Sequence, residues 1–151
     1  MPKKVLVIGA SGFQGGPVAR QLLKSGYYVL AAGRKLEKLE SLTTEGAEAV
    51  QLDLNSPAQV KQAAEKADLA FFHAPMGLDN PQQENAERDA LHALLEAGIE
   101  HLAYNVGFAL PPEPVGVAQL DGRIKMVEEL RQGGKTTIFV PTGYLENFAA
   151  P

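Results

Sequence analysis

Short apolar runs alternate with amphipathic segments along this 151-residue chain. The apolar runs predict six strands, at 5–8, 28–32, 47–52, 69–73, 101–106 and 137–140. Between them, leucines and alanines recur at helical spacing and predict helices near 14–23, 35–42, 56–66, 81–97 and 118–131. Strict alternation of strand and helix predicts parallel strands joined by right-handed crossovers. We therefore expect an α/β fold with one doubly wound sheet in the order 3-2-1-4-5-6.

The first strand runs into a glycine-rich turn, Gly9-Ala-Ser-Gly12-Phe-Gln-Gly15, which a helix follows. A dinucleotide-binding turn needs glycines because the chain must turn sharply, approach a pyrophosphate and pack its first helical turn against the sheet. The phosphates then lie on free N–H groups at the positive end of the helix dipole. The alternative is a glycine-rich turn with no ligand. The residues assigned here to cofactor binding are Gly9, Ser11, Gly12, Phe13, Gln14 and Gly15.

The end of the second strand indicates which dinucleotide is bound. In a doubly wound sheet the ligand lies outside the carboxyl ends of the strands. Here the second strand ends in Gly33-Arg34-Lys35, with no Asp or Glu to bind ribose hydroxyls. A guanidinium and an ammonium group suit a 2′-phosphate instead, so NADP is favoured over NAD. The alternative is that Arg34 and Lys35 form a solvated helix start.

Composition narrows the class of protein. With 45% apolar residues the chain can bury one sizeable core, so we expect a single NAD(P)-binding domain over 1–151. The net charge of −4 and the scattered basic residues argue against direct nucleic-acid binding. The lack of cysteine removes disulfides, thiolate metal sites and cysteine nucleophiles. No apolar targeting stretch or membrane-length run occurs, so we expect a cytoplasmic protein with no membrane contact.

The motifs at the two ends of the chain resemble one family. The spacing is GxxGxxG, its interior reads Ser11-Gly-Phe-Gln-Gly15, and the chain closes with Gly143-Tyr-Leu-Glu-Asn-Phe148. This combination resembles the NmrA-like family, a group of atypical short-chain dehydrogenase/reductase relatives, and the resemblance covers 4–148. It implies a Rossmann domain that binds NADP.

The resemblance also implies further cofactor contacts. Asp53 and Leu54, which follow the third strand, would contact adenine. Alternatively, Asp53 is simply an acidic residue that precedes the helix near Ser56. The turn after the fourth strand would run beside the inner ribose and nicotinamide, and the closing motif would fold over the nicotinamide end. The residues concerned are Asp53, Leu54, Ala74, Pro75, Met76, Tyr144 and Asn147.

Catalytic residues are harder to place. Short-chain reductases use a Tyr with a Lys four residues later, and none of the four tyrosines has that lysine. The serine expected in the fifth strand is replaced near 105–107. Lys125 is the one candidate for catalysis and cofactor contact, because isoflavone-reductase-like relatives are thought to use a lysine in this helix. Alternatively, Lys125 has no role in the site and forms a surface ion pair with Asp121, four residues earlier on the same helix. His73 is expected to be a packed or hydrogen-bonded histidine.

Two functions of different class remain. In the first, the chain is an NADP(H)-binding or redox-sensing module whose occupancy biases contacts with a protein partner, as the resemblance implies. In the second, it is an NADPH-dependent reductase of quinones or similar carbonyl or enone compounds. Relatives usually continue into a small substrate-covering subdomain, which we expect to be absent from a chain that ends at Pro151. Unpaired strands at the sheet edge also favour a homodimer.

Overall fold

The computed structural model describes residues 1–73, 81–144 and 148. Its six strands form one parallel sheet in the order β3-β2-β1-β4-β5-β6, which confirms the predicted α/β doubly wound sheet. The strands are β1 Lys4–Ile8, β2 Tyr28–Gly33, β3 Glu48–Gln51, β4 Leu69–His73, β5 His101–Asn105 and β6 Thr136–Phe139. Their ends differ from the predicted ends by at most one residue, and β4 matches the prediction at both ends.

Five α-helices join the strands. They are α1 Gly15–Lys24, α2 Glu40–Thr44, α3 Pro57–Ala64, α4 Pro81–Glu96 and α5 Ala118–Gln132. The single helix predicted for 35–42 is wrong in detail, because a turn of 3-10 helix at Leu36–Leu39 precedes α2. The leucine spacing predicts one face of Leu36, Leu39 and Leu42, of which Leu39 and Leu42 are buried and Leu36 is 44% exposed. A tighter turn of this kind is common at a helix start.

The sheet is buried on both faces. Along β1, Val5 and Val7 join an apolar cluster with α1 and α2, whereas Leu6 and Ile8 join a second cluster with α3, α4 and α5. Successive side chains of a strand point to opposite faces, so two covered faces require a continuous apolar run. This explains why the first strand reads as four consecutive aliphatic residues.

Parallel pairing brings the carboxyl ends of the strands to one edge of the sheet. Ile8 of β1 is in register with Ala32 of β2 and Phe72 of β4, and Ala32 is in register with Val50 of β3. The loops that follow these strands therefore meet at that edge, as the sequence predicts. Across the described residues, no helix combines the length and apolar character needed to cross a bilayer.

Candidate cofactor-binding site

The turn after β1 has the geometry that its glycines predict. Gly9 has a φ of +82°, a left-handed conformation that side chains disfavour. Its carbonyl oxygen accepts a hydrogen bond of 2.9 Å from the N–H of Gly12, whose own carbonyl accepts one of 3.0 Å from Gly16. A Cβ added at Gly15 would lie only 2.1 Å from the Gly9 oxygen. The turn therefore depends on glycine at both Gly9 and Gly15.

The amino end of α1 is open to an anion. Gln14 occupies the N-cap position without a side-chain cap, and the first turn of α1 carries no acidic residue. The first N–H groups of a helix have no partner within the helix and lie at its positive end. Phe13 beside them is 75% exposed. A phosphate group is the kind of ligand that this end of α1 can accept.

A groove of about 510 Å³ opens at the carboxyl edge of the sheet. It runs from the turn after β1 across the ends of β2 and β3 to the first turns of α4, and its volume is in the range of small-molecule sites. The structure brings five of the sequence-predicted cofactor residues into its lining, namely Gly9, Ser11, Arg34, Asp53 and Leu54. The other lining residues are Ile8, Ala32, Gly33, Leu52, Asn55, Gln82 and Ala86.

Charge is distributed unevenly in the groove. Arg34 and Lys35 are both exposed at the end of β2, and only Arg34 lines the groove. The carboxylate of Asp53 accepts hydrogen bonds of 2.9 Å from the backbone N–H and the side-chain amide of Asn55. These bonds, and then the charge of Arg34, lower the pKa of Asp53. Asp53 is thus an ionised acceptor whose orientation the next turn sets.

The structure places the remaining predicted residues as follows. Lys125 is exposed in a cleft between α4 and α5, which is separate from the groove. The alternative for Lys125, an ion pair with Asp121, is not found among the described residues, where Asp121 accepts the N–H groups of Val115 and Gly116 at 2.8 and 3.0 Å. The role of Lys125 itself stays a prediction. The predicted contacts at Ala74, Pro75, Met76 and Asn147 lie outside the described residues.

Tyr144 reaches the carboxyl end of β5. Its hydroxyl accepts a hydrogen bond of 3.3 Å from the side-chain amide of Asn105. The side-chain oxygen of Asn105 in turn accepts the N–H of Gly107 at 2.9 Å. Asn105 is in register with His73 of β4. The segment after β6 is therefore held at the edge where β4 and β5 end.

His73 is half-buried beside Gly9, and its Nε2 has no hydrogen-bond partner among the residues that the structure describes. The packing expected for this histidine is found, but a hydrogen bond at Nε2 is not. Burial lowers the pKa of His73, with the nearby charges of Glu87 and Arg123 acting in opposite directions. The ring is consequently biased towards its neutral form.

Sequence reasoning missed a buried polar network of Glu87, Tyr104 and Arg123. Glu87 and Arg123 are 4% and 8% exposed, and they form an ion pair. The hydroxyl of Tyr104 donates a hydrogen bond to the same carboxylate. The sequence does contain a signal for this burial. Apolar residues stand three, four and seven positions after each of the two charged residues, so each charge lies on the buried face of its helix. These apolar residues are Ala90, Leu91 and Leu94 after Glu87, and Met126, Val127 and Leu130 after Arg123.

Comparison with known sequences identifies a family and individual relatives of this chain. The family model of the NmrA-like family matches residues 1–151. An NmrA-like family domain-containing oxidoreductase of Aspergillus campestris, cpsB, is 32% identical over 111 residues, which are 67% of this chain and 33% of that protein. The chain spans about half the length, or less, of the curated relatives that it matches first.

Solved structures share the fold. The Citrobacter sp. triphenylmethane reductase complexed with NADP(H) superposes with a TM-score of 0.78 at 23% identity, over 98% of this chain and 52% of that one. The structure of NmrA, described as a negative transcriptional regulator, superposes with a TM-score of 0.72 at 23% identity, over 91% and 45%. At these identities the likeness extends to the fold alone.

Proposed function

Since the chain belongs to the NmrA-like family, we propose that it is one domain that binds NADP(H) in the groove at the carboxyl edge of its sheet. One observation carries the proposal. Gly9 and Ser11 of the glycine turn line the same groove as Arg34, and that turn leads directly into the amino end of α1, which has no side-chain cap and no acidic residue in its first turn. A pyrophosphate and a 2′-phosphate are the two anionic parts of NADP, and these features offer a site for each.

The proposed contacts follow the groove from one end to the other. The pyrophosphate lies on the N–H groups of the turn, Arg34 and Lys35 bind the 2′-phosphate, and Asp53 and Leu54 contact adenine. The closing segment with Tyr144 lies on the nicotinamide side, where its hydroxyl is held by Asn105. The remaining proposed contacts are Gly9, Ser11, Gly12, Phe13, Gln14, Gly15, Ala74, Pro75, Met76 and Asn147.

We infer that the domain acts mainly as a redox-sensing module, whose interactions depend on whether and in which form the cofactor is bound. Lys125, the residue proposed for catalysis, lies in a separate cleft, so the described lining of the groove contains no lysine that could act on a substrate. NmrA, one of the proteins with this fold, is a negative transcriptional regulator. A sensor must bind NADP⁺ and NADPH with different affinities, because only differential binding shifts a conformational equilibrium.

A reductase is the second candidate, and the position of Tyr144 favours it. A phenol held by Asn105 at the end of β5 is a proton donor on the nicotinamide side. Bound NADPH would supply hydride there, and the candidate substrates are quinones or similar carbonyl or enone compounds. The Aspergillus relative is named an oxidoreductase, and the Citrobacter protein is a reductase.

Two measurements separate these functions. Calorimetric titration with NADP⁺ and with NADPH tests the sensor, which predicts affinities that differ by about fivefold or more. NADPH consumption with a panel of quinones and enones tests the reductase. Turnover that Tyr144→Phe or Lys125→Ala abolishes would overturn the sensor as the main function, whereas equal affinities with no turnover would overturn both.

A further inference from the structure

We propose that the buried network of Glu87, Tyr104 and Arg123 positions the nicotinamide side of the cofactor groove, with Arg123 as its central residue. The inference rests on the proposed binding of NADP(H). It assigns these three residues a positioning role, because none of them lines the groove.

The interactions of Arg123 and Glu87 connect α5, α4, β5 and the segment that follows β5. From α5, its Nε donates to Glu87 Oε1 of α4 at 3.3 Å, and its Nη2 donates to the other carboxylate oxygen. The same Oε1 accepts the hydroxyl of Tyr104 from β5. The guanidinium carbon lies 4.9 Å from the ring centroid of Phe108 in the segment after β5. Only a planar fork of donors satisfies both carboxylate oxygens while its face stacks on an aromatic ring.

Each anchor of the network adjoins a residue at the sheet edge. Ala86, next to Glu87 on α4, lines the groove. Asn105, next to Tyr104 on β5, holds the hydroxyl of Tyr144. Fixing Glu87 against Tyr104 therefore fixes the first half of α4 against the end of β5.

The network meets the sheet at Tyr104 of β5, which lies on the opposite side of β1 from the strands that carry Arg34 and Asp53. Arg34 and Asp53, the proposed adenosine contacts, follow β2 and β3 on one side of β1. The network joins β5 to the helices that flank it, on the other side of β1. In a doubly wound sheet a dinucleotide crosses this switch point, so its two halves lie on opposite sides. Since Tyr104 adjoins Asn105, which binds Tyr144, a perturbation of the network should weaken binding of the nicotinamide half more than that of the adenosine half.

Burial keeps the phenol of Tyr104 protonated. Burial, and then the charge of Glu87, raise the pKa of Tyr104, so the phenol remains a donor throughout the working pH range. Tyr104 is fully buried and its ring lies 5.9 Å from that of Phe72. Replacement of Tyr104 by Phe therefore removes one hydrogen bond and keeps the ring packing.

The test compares a whole dinucleotide with its adenosine half. Dissociation constants of NADPH and of 2′,5′-ADP are measured by calorimetry for the wild type, Tyr104→Phe and Arg123→Lys, well below each variant's melting temperature. We expect the dissociation constant of NADPH to rise roughly fivefold, the size of change seen when coupled networks are altered. That of 2′,5′-ADP should change by less than about twofold, because this ligand lacks the nicotinamide half.

Arg88→Ala is the matched control, because Arg88 lies next to Glu87 on α4 but pairs with Asp89 at the surface. It should leave both constants unchanged. Equal weakening of both ligands in the network variants, or no weakening of either, would overturn the positioning role. If Arg123→Lys fails to fold, Tyr104→Phe still decides the question. Failure of the wild type to bind either ligand would overturn the proposed function itself.

Discussion

The buried ion pair gives the sharpest prediction about stability. The side chains of Glu87 and Arg123 are 5% and 8% exposed, so water cannot solvate either charge if its partner is removed. Among the residues that the structure describes, the Glu87 carboxylate of Arg123→Met keeps the hydroxyl of Tyr104 as its one hydrogen-bond donor. Breaking a buried pair in this way destabilises a protein by about 3–5 kcal/mol. A domain of this size has about 5–15 kcal/mol in total, so the loss is large.

Urea denaturation followed by circular dichroism measures this loss, and the melting temperature should fall by roughly 6–20 °C. The companion variant combines Arg123→Met with Glu87→Leu and Tyr104→Phe, which removes every polar group of the network together. Its free energy of unfolding should lie within about 1 kcal/mol of the wild type, or above it, because no charge is left unpaired. A single variant that loses less than about 1 kcal/mol, or a triple variant that loses as much as the single one, would refute the reasoning.

Three further predictions concern the groove and its edge. Arg34→Ala should raise the dissociation constant of NADP about tenfold or more and leave that of NAD nearly unchanged, with Lys38→Ala as the exposed control. Equal changes for both cofactors would remove the 2′-phosphate assignment. Gly15→Val should abolish NADPH binding in calorimetry and destabilise the fold by about 1–3 kcal/mol, since its Cβ would lie 2.1 Å from a carbonyl oxygen. Gly133→Ala, where a Cβ meets ordinary contacts only, is the control. Burial holds the pKa of His73 below its ordinary 6.5, so the unfolded chain takes up the proton first as pH falls. The wild type should therefore lose stability below about pH 6.5 relative to His73→Gln, and parallel pH profiles of the two would contradict this.

Much of the fold can be predicted from the sequence, because a parallel strand that is buried on both faces is apolar at consecutive positions. The run from Val5 to Ile8 is apolar at every position, which a strand needs when helices cover both faces. The glycine turn is predictable for a similar reason, because the positive φ at Gly9 and the close carbonyl at Gly15 both exclude side chains. The 3-10 turn at Leu36–Leu39 is harder to foresee, since the sequence spacing of the leucines is compatible with either kind of turn.

The candidate site was predictable only where the sheet itself positions the residues. Arg34 and Asp53 follow strands, so parallel pairing brings them to the groove. The spacing of Asp121 and Lys125 on one helix is compatible with an ion pair between them. In the structure the Asp121 carboxylate instead accepts hydrogen bonds from N–H groups of the loop that precedes the helix. The partner of Glu87 lies 36 residues away, and local spacing does not show such a contact.

We propose that an anionic dinucleotide binds between the glycine turn and Arg34. Calorimetric titration of NADPH and NADH into the chain, each repeated with saturating 2′,5′-ADP, tests it most directly. We predict saturable binding of one NADPH per chain, weaker binding of NADH, and loss of the NADPH signal when 2′,5′-ADP is present. No heat with either nucleotide at millimolar concentration, or NADPH binding that 2′,5′-ADP leaves unchanged, would contradict the account.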